Sequence, residues 1–393
     1  MTNRWEIKKL DEVCKEIFAG GDAPKGNFSV NKTDKYPIPI IANAVRDNGL
    51  YGYTDLSRVN EPSITIAARG SGTGHTEIRY EPFFPIVRLI VLTPNTKMIV
   101  LEYLKFAIQN LDILSNGSAI PQLTIPMISE YSIPLPGIIL QKRIVSIVEE
   151  AFAAIATAKA NAEQNIKNVK ELFESYLLGV FENKGEGWVN STIGDTCNLH
   201  TGGTPSTSKS EYYNGGDIKW LVSGDINQKV IHDCEGRITE LGMNSSNARY
   251  LPVNSVLIAL NGQGKTRGTV AMLRTKATCN QSLVSIYPKD IKSLLPELVF
   301  SNLEGRYEEI RKITGDSGND RRGLNMPLIR SIRFSYPKKI TEQQDIITKL
   351  DALRTETQKL EAIYQQKIAG LEELKKSILQ KAFSGELKTL QPA

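Results

Sequence analysis

Taken from Ile346 in alternating steps of four and three, the chain reads Ile346, Leu350, Leu353, Thr357, Leu360, Tyr364, Lys367, Leu371, Leu374 and Ile378, apolar at nearly every stop. A mean spacing of about 3.5 residues marks a helix whose stripe seals against another helix. Ile144, Val148, Ala151, Ile155, Ala158, Ala162, Asn165, Val169, Leu172 and Tyr176 repeat that spacing with smaller residues in the middle. Neither run holds a proline, and Pro134, Pro136 and Pro337 stand just before the starts, where helices are expected to begin. At about 1.5 Å per residue, roughly forty residues make a rod of about 60 Å, which cannot bury its stripe alone. Asn165 and Lys367 fall at equivalent stops. Either they are polar seam residues that fix register, or the neighbouring Ile166 and Ile368 take the seam.

The two runs belong to a larger internal repeat. Gln141/Gln343, Ile144/Ile346, Ala160/Ala362, Glu171/Glu373, Leu172/Leu374, Ser175/Ser377 and Phe181/Phe383 keep one offset, so no loop interrupts them. Upstream, Trp5 and Cys14 are matched by Trp188 and Cys197, each pair leading to a glycine turn and a proline, Gly20-Gly21-Asp22-Ala23-Pro24 and Gly202-Gly203-Thr204-Pro205. SITIAARGSGTG from Ser63 is matched by SVLIALNGQGKT from Ser255, and LTIPMI from Leu123 by LNMPLI from Leu324. The chain is therefore two copies of one plan, each a globular part followed by a long helix. The expected organisation is 1–137 globular, 138–183 central helix, 184–338 globular and 339–393 C-terminal helix and tail. With the globular parts at opposite ends, the helices can run antiparallel and seal their seams together, giving an approximate two-fold.

Within each globular copy, short β-rich runs alternate with turns: YPIPIIAN, SITIAA and PIVRLIVL in the first, DIKWLVS, SVLIAL, GTVAML and SLVSIY in the second. One helical stretch follows in each, near Ile99 to Leu111 and near Leu294 to Arg311. This pattern predicts an α+β domain with a strongly bent sheet, built twice.

VLIALNGQGKT, residues 256–266, fits a loose phosphate-loop pattern. Such a loop needs a helix directly behind it, and the following RGTVAMLR favours a strand. The first copy keeps Gly70 and Gly72 but has no lysine at the aligned place, which argues against nucleotide binding. What the copies share is a G-x-G hairpin tip with Arg69, Ser71, Thr73 and His75 in one and Asn261, Gln263, Lys265 and Arg267 in the other. Those side-chain types pair with base edges and phosphates, although an ordinary solvated turn would carry them too. A second polar loop precedes each LxxP segment, with Gln122 in the first copy and Arg321, Arg322 and Asn325 in the second. The small residues around Ala158 and Ala162, together with Ile155, Leu360 and Tyr364, mark helix faces suited to a helix from another subunit.

Composition changes this picture little. A net charge of +5 in a chain of 393 residues is compatible with a polyanionic partner but far from histone-like. The four cysteines and three histidines show no metal-ligand spacing. No stretch approaches the roughly 18 apolar residues of a spanning helix, so a cytoplasmic protein with reduced thiols is expected.

Several residues together carry a family resemblance: the turn GGTPS, the stretch IKWLVSGDI, the pair Asn280-Gln281, the segment LNMPLI followed by Pro337, and EQQDIITKLD at the start of the last helix. In combination they resemble the specificity subunits of type I restriction-modification systems over the whole chain. The first copy departs from the pattern, with Pro85 in the region of Asn280-Gln281. The resemblance implies two target-recognition domains that each read half of a split asymmetric DNA target, and a chain that does no chemistry. It implies two methyltransferase subunits docked on the helices, with S-adenosylmethionine held by them and not here, and motor nuclease subunits joining for cleavage. In keeping with this, the sequence has no Asp/Asn-Pro-Pro-aromatic tetrapeptide of an adenine methyltransferase. Helix length would then act as a ruler for the unread spacer. The competing expectation is a coiled-coil adaptor that binds protein and not DNA.

Overall fold

The computed structural model describes residues 5–70, 72–111, 122–262, 266–313 and 323–386. Two compact units emerge, Met1–Glu163 with Gln365–Ala393, and Gln164–Tyr364. The central helix, Ile138–Glu182, and the C-terminal helix, Ile340–Ser384, each contribute to both.

In the first unit an antiparallel sheet orders Cys14–Ala19, Ile90–Pro94, Ser63–Ile66 and Thr76–Arg79. A smaller sheet places Ile38–Ile41 between Leu50–Thr54 and the short strand Phe84–Pro85, the last running parallel. Glu6–Lys9 pairs with Ser132–Leu135, immediately before the central helix. Ser63–Ile66 is buried at every position, and its Ile64 and Ile66 pack with Ile90 and Leu92, Tyr103 and Leu104 of the helix Leu101–Asn110, and Ile144 and Val148 of the central helix. Leu379, Ala382 and Phe383 close the same core.

Unit two repeats the plan with longer excursions. Its main sheet orders Cys197–Thr201, Leu283–Pro288, Val256–Ala259, Val270–Leu273 and Val230–Ile231. A smaller sheet again has a parallel pair, here Ile218–Leu221 with Thr278–Cys279. Trp188–Thr192 pairs with Arg333–Pro337 before the C-terminal helix. Leu177, Phe181 and Leu350 from the long helices join Ile258, Val284, Leu298 and Phe334 in the core.

PIVRLIVL, a single β-rich run in the sequence, is shared between two strands. Phe84–Pro85 ends, Val87 and Arg88 both take left-handed φ values of 54° and 61°, and a new strand starts at Ile90. The backbone amides of Val87 and Arg88 donate to the carbonyls of Gly21 and Gly20. Long-range hydrogen bonds thus hold a turn that a β-branched residue would not choose.

Inside each unit the two long-helix segments run antiparallel. In unit one Lys375 lies over the Phe152 ring and Lys159 meets Glu372 at 2.6 Å; in unit two Lys170 meets Glu361 at 3.3 Å and Arg354 lies over Phe173. The seam is not a strict heptad stripe. Ile144, Val148, Ile155, Ala162, Leu350 and Thr357 are buried, yet Leu360 is 41% and Leu374 48% exposed. Burial returns at Leu379, Ala382 and Phe383, where the C-terminal helix packs into the globular core of unit one. Ile368, partly buried, takes the seam in place of the exposed Lys367.

Candidate nucleic-acid interface

The hairpin tip of unit one is built on a strand that is buried at every position and paired on both sides. Ile66 is fully buried, and beyond it the Ala67 amide donates to the His75 carbonyl and the Gly74 amide to the Ala67 carbonyl. Asn43, from the end of the parallel-paired strand, grips the base of the tip: its Oδ1 accepts from the Ala68 amide and its Nδ2 donates to the Arg69 carbonyl at 3.1 Å. Gly72 sits where a Cβ would meet Val45.

Of the expected side chains, Arg69 is exposed and Thr73 is not. Thr73 is 7% exposed, and its hydroxyl donates to the Gly70 carbonyl at 2.7 Å, so it shapes the turn from inside. His75 is half-buried, with Nε2 3.3 Å from a Glu77 carboxylate oxygen but without the angle of a hydrogen bond; Glu77 also faces Lys105. Gln122, far along the chain, is bridged to Arg69, and the adjacent Leu123 amide donates to the Ala68 carbonyl at 2.9 Å. The end of the second polar loop therefore lies against the hairpin tip. Ser71 lies outside the described residues.

Unit two makes the same junction with other side chains. The Leu324 amide donates to the Leu260 carbonyl at 3.0 Å, and a Cβ on Gly323 would strike Asn261 Oδ1. Asn261 is exposed and Arg267 half-buried. Asn325 is engaged within the fold: its Oδ1 accepts from the Leu328 amide and caps the helix Met326–Ser331, as the Thr124 hydroxyl caps Ile125–Glu130 in unit one. Gln263, Lys265, Arg321 and Arg322 lie outside the described residues.

The motif residues of unit two converge on one corner. The Gly203 amide donates to the Cys279 carbonyl, the Trp220 indole Nε1 to the Gly203 carbonyl, and the Thr204 hydroxyl to Gln281 Oε1. Gly202 is required there, because a Cβ would strike the Cys279 carbonyl oxygen. Burial pushes the Cys279 thiol up to about 12, so it stays protonated and packs as an apolar group. In unit one the strand register sets Pro85 opposite Ile41 as Cys279 is opposite Leu221, and the Ile86 and Asn280 amides donate to the Ile41 and Leu221 carbonyls. Val87 and Arg88, both exposed, thus stand where unit two has Gln281 and Ser282. The sequence pattern did not reveal Asn43 or this turn. Only the match of IIAN to the second copy's WLVS could have hinted at Asn43, and it is weak.

A family model for the type I restriction modification DNA specificity domain matches residues 2–168 and 185–370, nearly the whole chain. The chain belongs to this family. The specificity subunit of the Escherichia coli type I restriction enzyme EcoR124I/EcoR124II is 27% identical over 58% of this chain and 58% of that protein. A type I specificity subunit from Mycoplasma pneumoniae, S.MpnORF89P, described there as putative, is 29% identical over 44% of this chain and 51% of its own length. The matches span between about half and three-fifths of the length of these curated relatives. In fold, the chain is similar to a subunit solved in work on complex assembly and conformational transition of the type I R-M system, with a TM-score of 0.79 at 19% identity over 98% of this chain and 99% of that one. The HsdS subunit of Thermoanaerobacter tengcongensis gives 0.60 at 18% identity over 98% of both chains. Among the described residues no cluster of metal-binding side chains is found, and no helix is long and apolar enough to cross a membrane.

Proposed function

We propose that this chain is the DNA-reading subunit of a type I restriction-modification complex in the cytoplasm and that its two globular parts, 1–137 and 184–338, each read one half of a split, asymmetric target. The observation that carries this is the doubled junction: in each unit a glycine hairpin tip is joined to the end of a second polar loop by an equivalent backbone bond, Leu123 to Ala68 and Leu324 to Leu260. One scaffold presenting different side chains, Arg69 and Gln122 against Asn261 and Arg267, suits two related but unlike half-sites. Ser71, Gln263, Lys265, Arg321 and Arg322 complete the proposed contact set, with Thr73 and Asn325 shaping its backbone.

In this reading the chain itself transfers no group. Two methyltransferase subunits dock on the long helices near Ala158, Leu360 and Tyr364 and supply S-adenosylmethionine, and motor nuclease subunits join them for cleavage; Ile155 and Ala162, expected on that face, are buried inside this chain and are left out of it. Leu360 and Ile363, 41% and 57% exposed on the C-terminal helix, favour such a contact.

Mapping methylated adenines in a host carrying the chain with its methyltransferase partner tests the proposal. A two-part motif with unlike halves is expected, and binding to that motif should fall steeply with salt as phosphate contacts are screened. No methylation motif, with binding insensitive to salt, would instead fit a protein-binding adaptor.

A further inference from the structure

Two glutamines outside the hairpin tips occupy equivalent places in the two copies. Gln141 and Gln343 stand in the first turn of the central and C-terminal helices, and both are completely buried. Gln141 Oε1 accepts from the Val100 amide at 2.8 Å, while its Nε2 donates to the carbonyls of Met98 at 3.0 Å and Pro136 at 2.8 Å. Gln343 repeats this: Oε1 accepts from the Leu295 amide at 2.9 Å, and Nε2 donates to Ser293 at 2.9 Å and Pro337 at 2.8 Å. Val100 and Leu295 are the N-cap residues of the helices Leu101–Asn110 and Pro296–Gly305, and neither cap has a side-chain bond of its own. One amide thus ties three pieces together: the end of the strand leading into the long helix, the cap of the globular part's helix, and the long helix itself.

An apolar side chain could fill the same space. Burying an amide in its place costs desolvation, which its hydrogen bonds offset without much surplus; what they add is direction. Apolar contacts such as those of Ile144 and Val148 tolerate small rotations, whereas three bonds from one planar group do not. The arrangement occurs twice although the globular parts have diverged around it.

We infer that Gln141 and Gln343 are positioning residues that fix the angle between each recognition domain and the long helix that follows it, so that the protein accepts one spacing between half-sites. This rests on the proposed DNA-reading function. The test uses the full chain with its methyltransferase partner and a DNA library in which the two mapped half-sites are separated by spacers differing by single base pairs. Gln141→Met and Gln343→Met keep the volume and remove the bonds. Each is expected to lower the preference for the native spacer over its neighbours by about tenfold, the scale of one net hydrogen bond, with the bases read unchanged. Val148→Ala, a core change at the same joint, should reduce stability and leave that preference sharp. Methionine variants that behave like Val148→Ala would overturn the inference. Should they fail to fold, hydrogen exchange in the unaltered complex decides: slow exchange of the Val100 and Leu295 amides supports the pins, and exchange as fast as in exposed loops refutes them. An unaltered complex that methylates no two-part motif sinks the functional reading itself.

Discussion

Asn43→Ala perturbs the hairpin tip of unit one and leaves unit two as a control. The Ala68 amide is buried, with Ala68 itself 2% exposed, and its acceptor is Asn43 Oδ1; the Arg69 carbonyl that takes the Nδ2 bond belongs to an exposed residue, and water can replace that partner. The cost is therefore mainly one buried donor left unsatisfied, about 1–3 kcal/mol. Felt as local opening of the hairpin base, roughly 1–2 kcal/mol of it would speed exchange of the Ala68 amide by about five- to thirty-fold. Hydrogen exchange read by mass spectrometry or NMR measures this directly, and unit two serves as the internal control, since its Leu260 amide is held by the Ser282 carbonyl and not by a side chain. In a methylation map, discrimination between bases should relax at the first half-site and stay unchanged at the second. Asn43→Asp, which keeps the acceptor, should retain most of the protection. Exchange at Ala68 unchanged in Asn43→Ala would refute the idea that this side chain holds the tip.

Gly202→Ala should destabilise unit two by about 1–3 kcal/mol or more, as overpacking against backbone does, because the new methyl meets the Cys279 carbonyl oxygen; urea unfolding reads the loss. Leu360→Asp with Ile363→Asp, both partly exposed on the C-terminal helix, should cost about 1–2 kcal/mol of stability through helix propensity and lost apolar cover, leave the chain folded, and weaken co-purification of the methyltransferase partner. Unchanged co-purification would remove that face from the docking site. Deleting four residues within 151–168 of the uninterrupted central helix should shorten the preferred spacer, and a methylation map with the original spacing would count against a ruler.

By itself the sequence determined what depends on local period and self-similarity. The alternating steps from Ile144 and Ile346 announced two helices, and the paired glycine and proline turns announced two copies of one α+β plan. These signals survive because helix and strand geometry repeat every few residues, wherever the chain lies. Only the tertiary structure decided which polar groups face outward and which hold the backbone. Thr73 and Asn325 read as contact residues, yet their oxygens serve the turn and the helix cap beside them. Asn43 meets Ala68 across 25 residues, and Gln141 and Gln343 meet their caps across 41 and 48. A buried hydrogen bond is set by where two distant segments arrive, and the packing of both sheets has to be complete before either partner is visible.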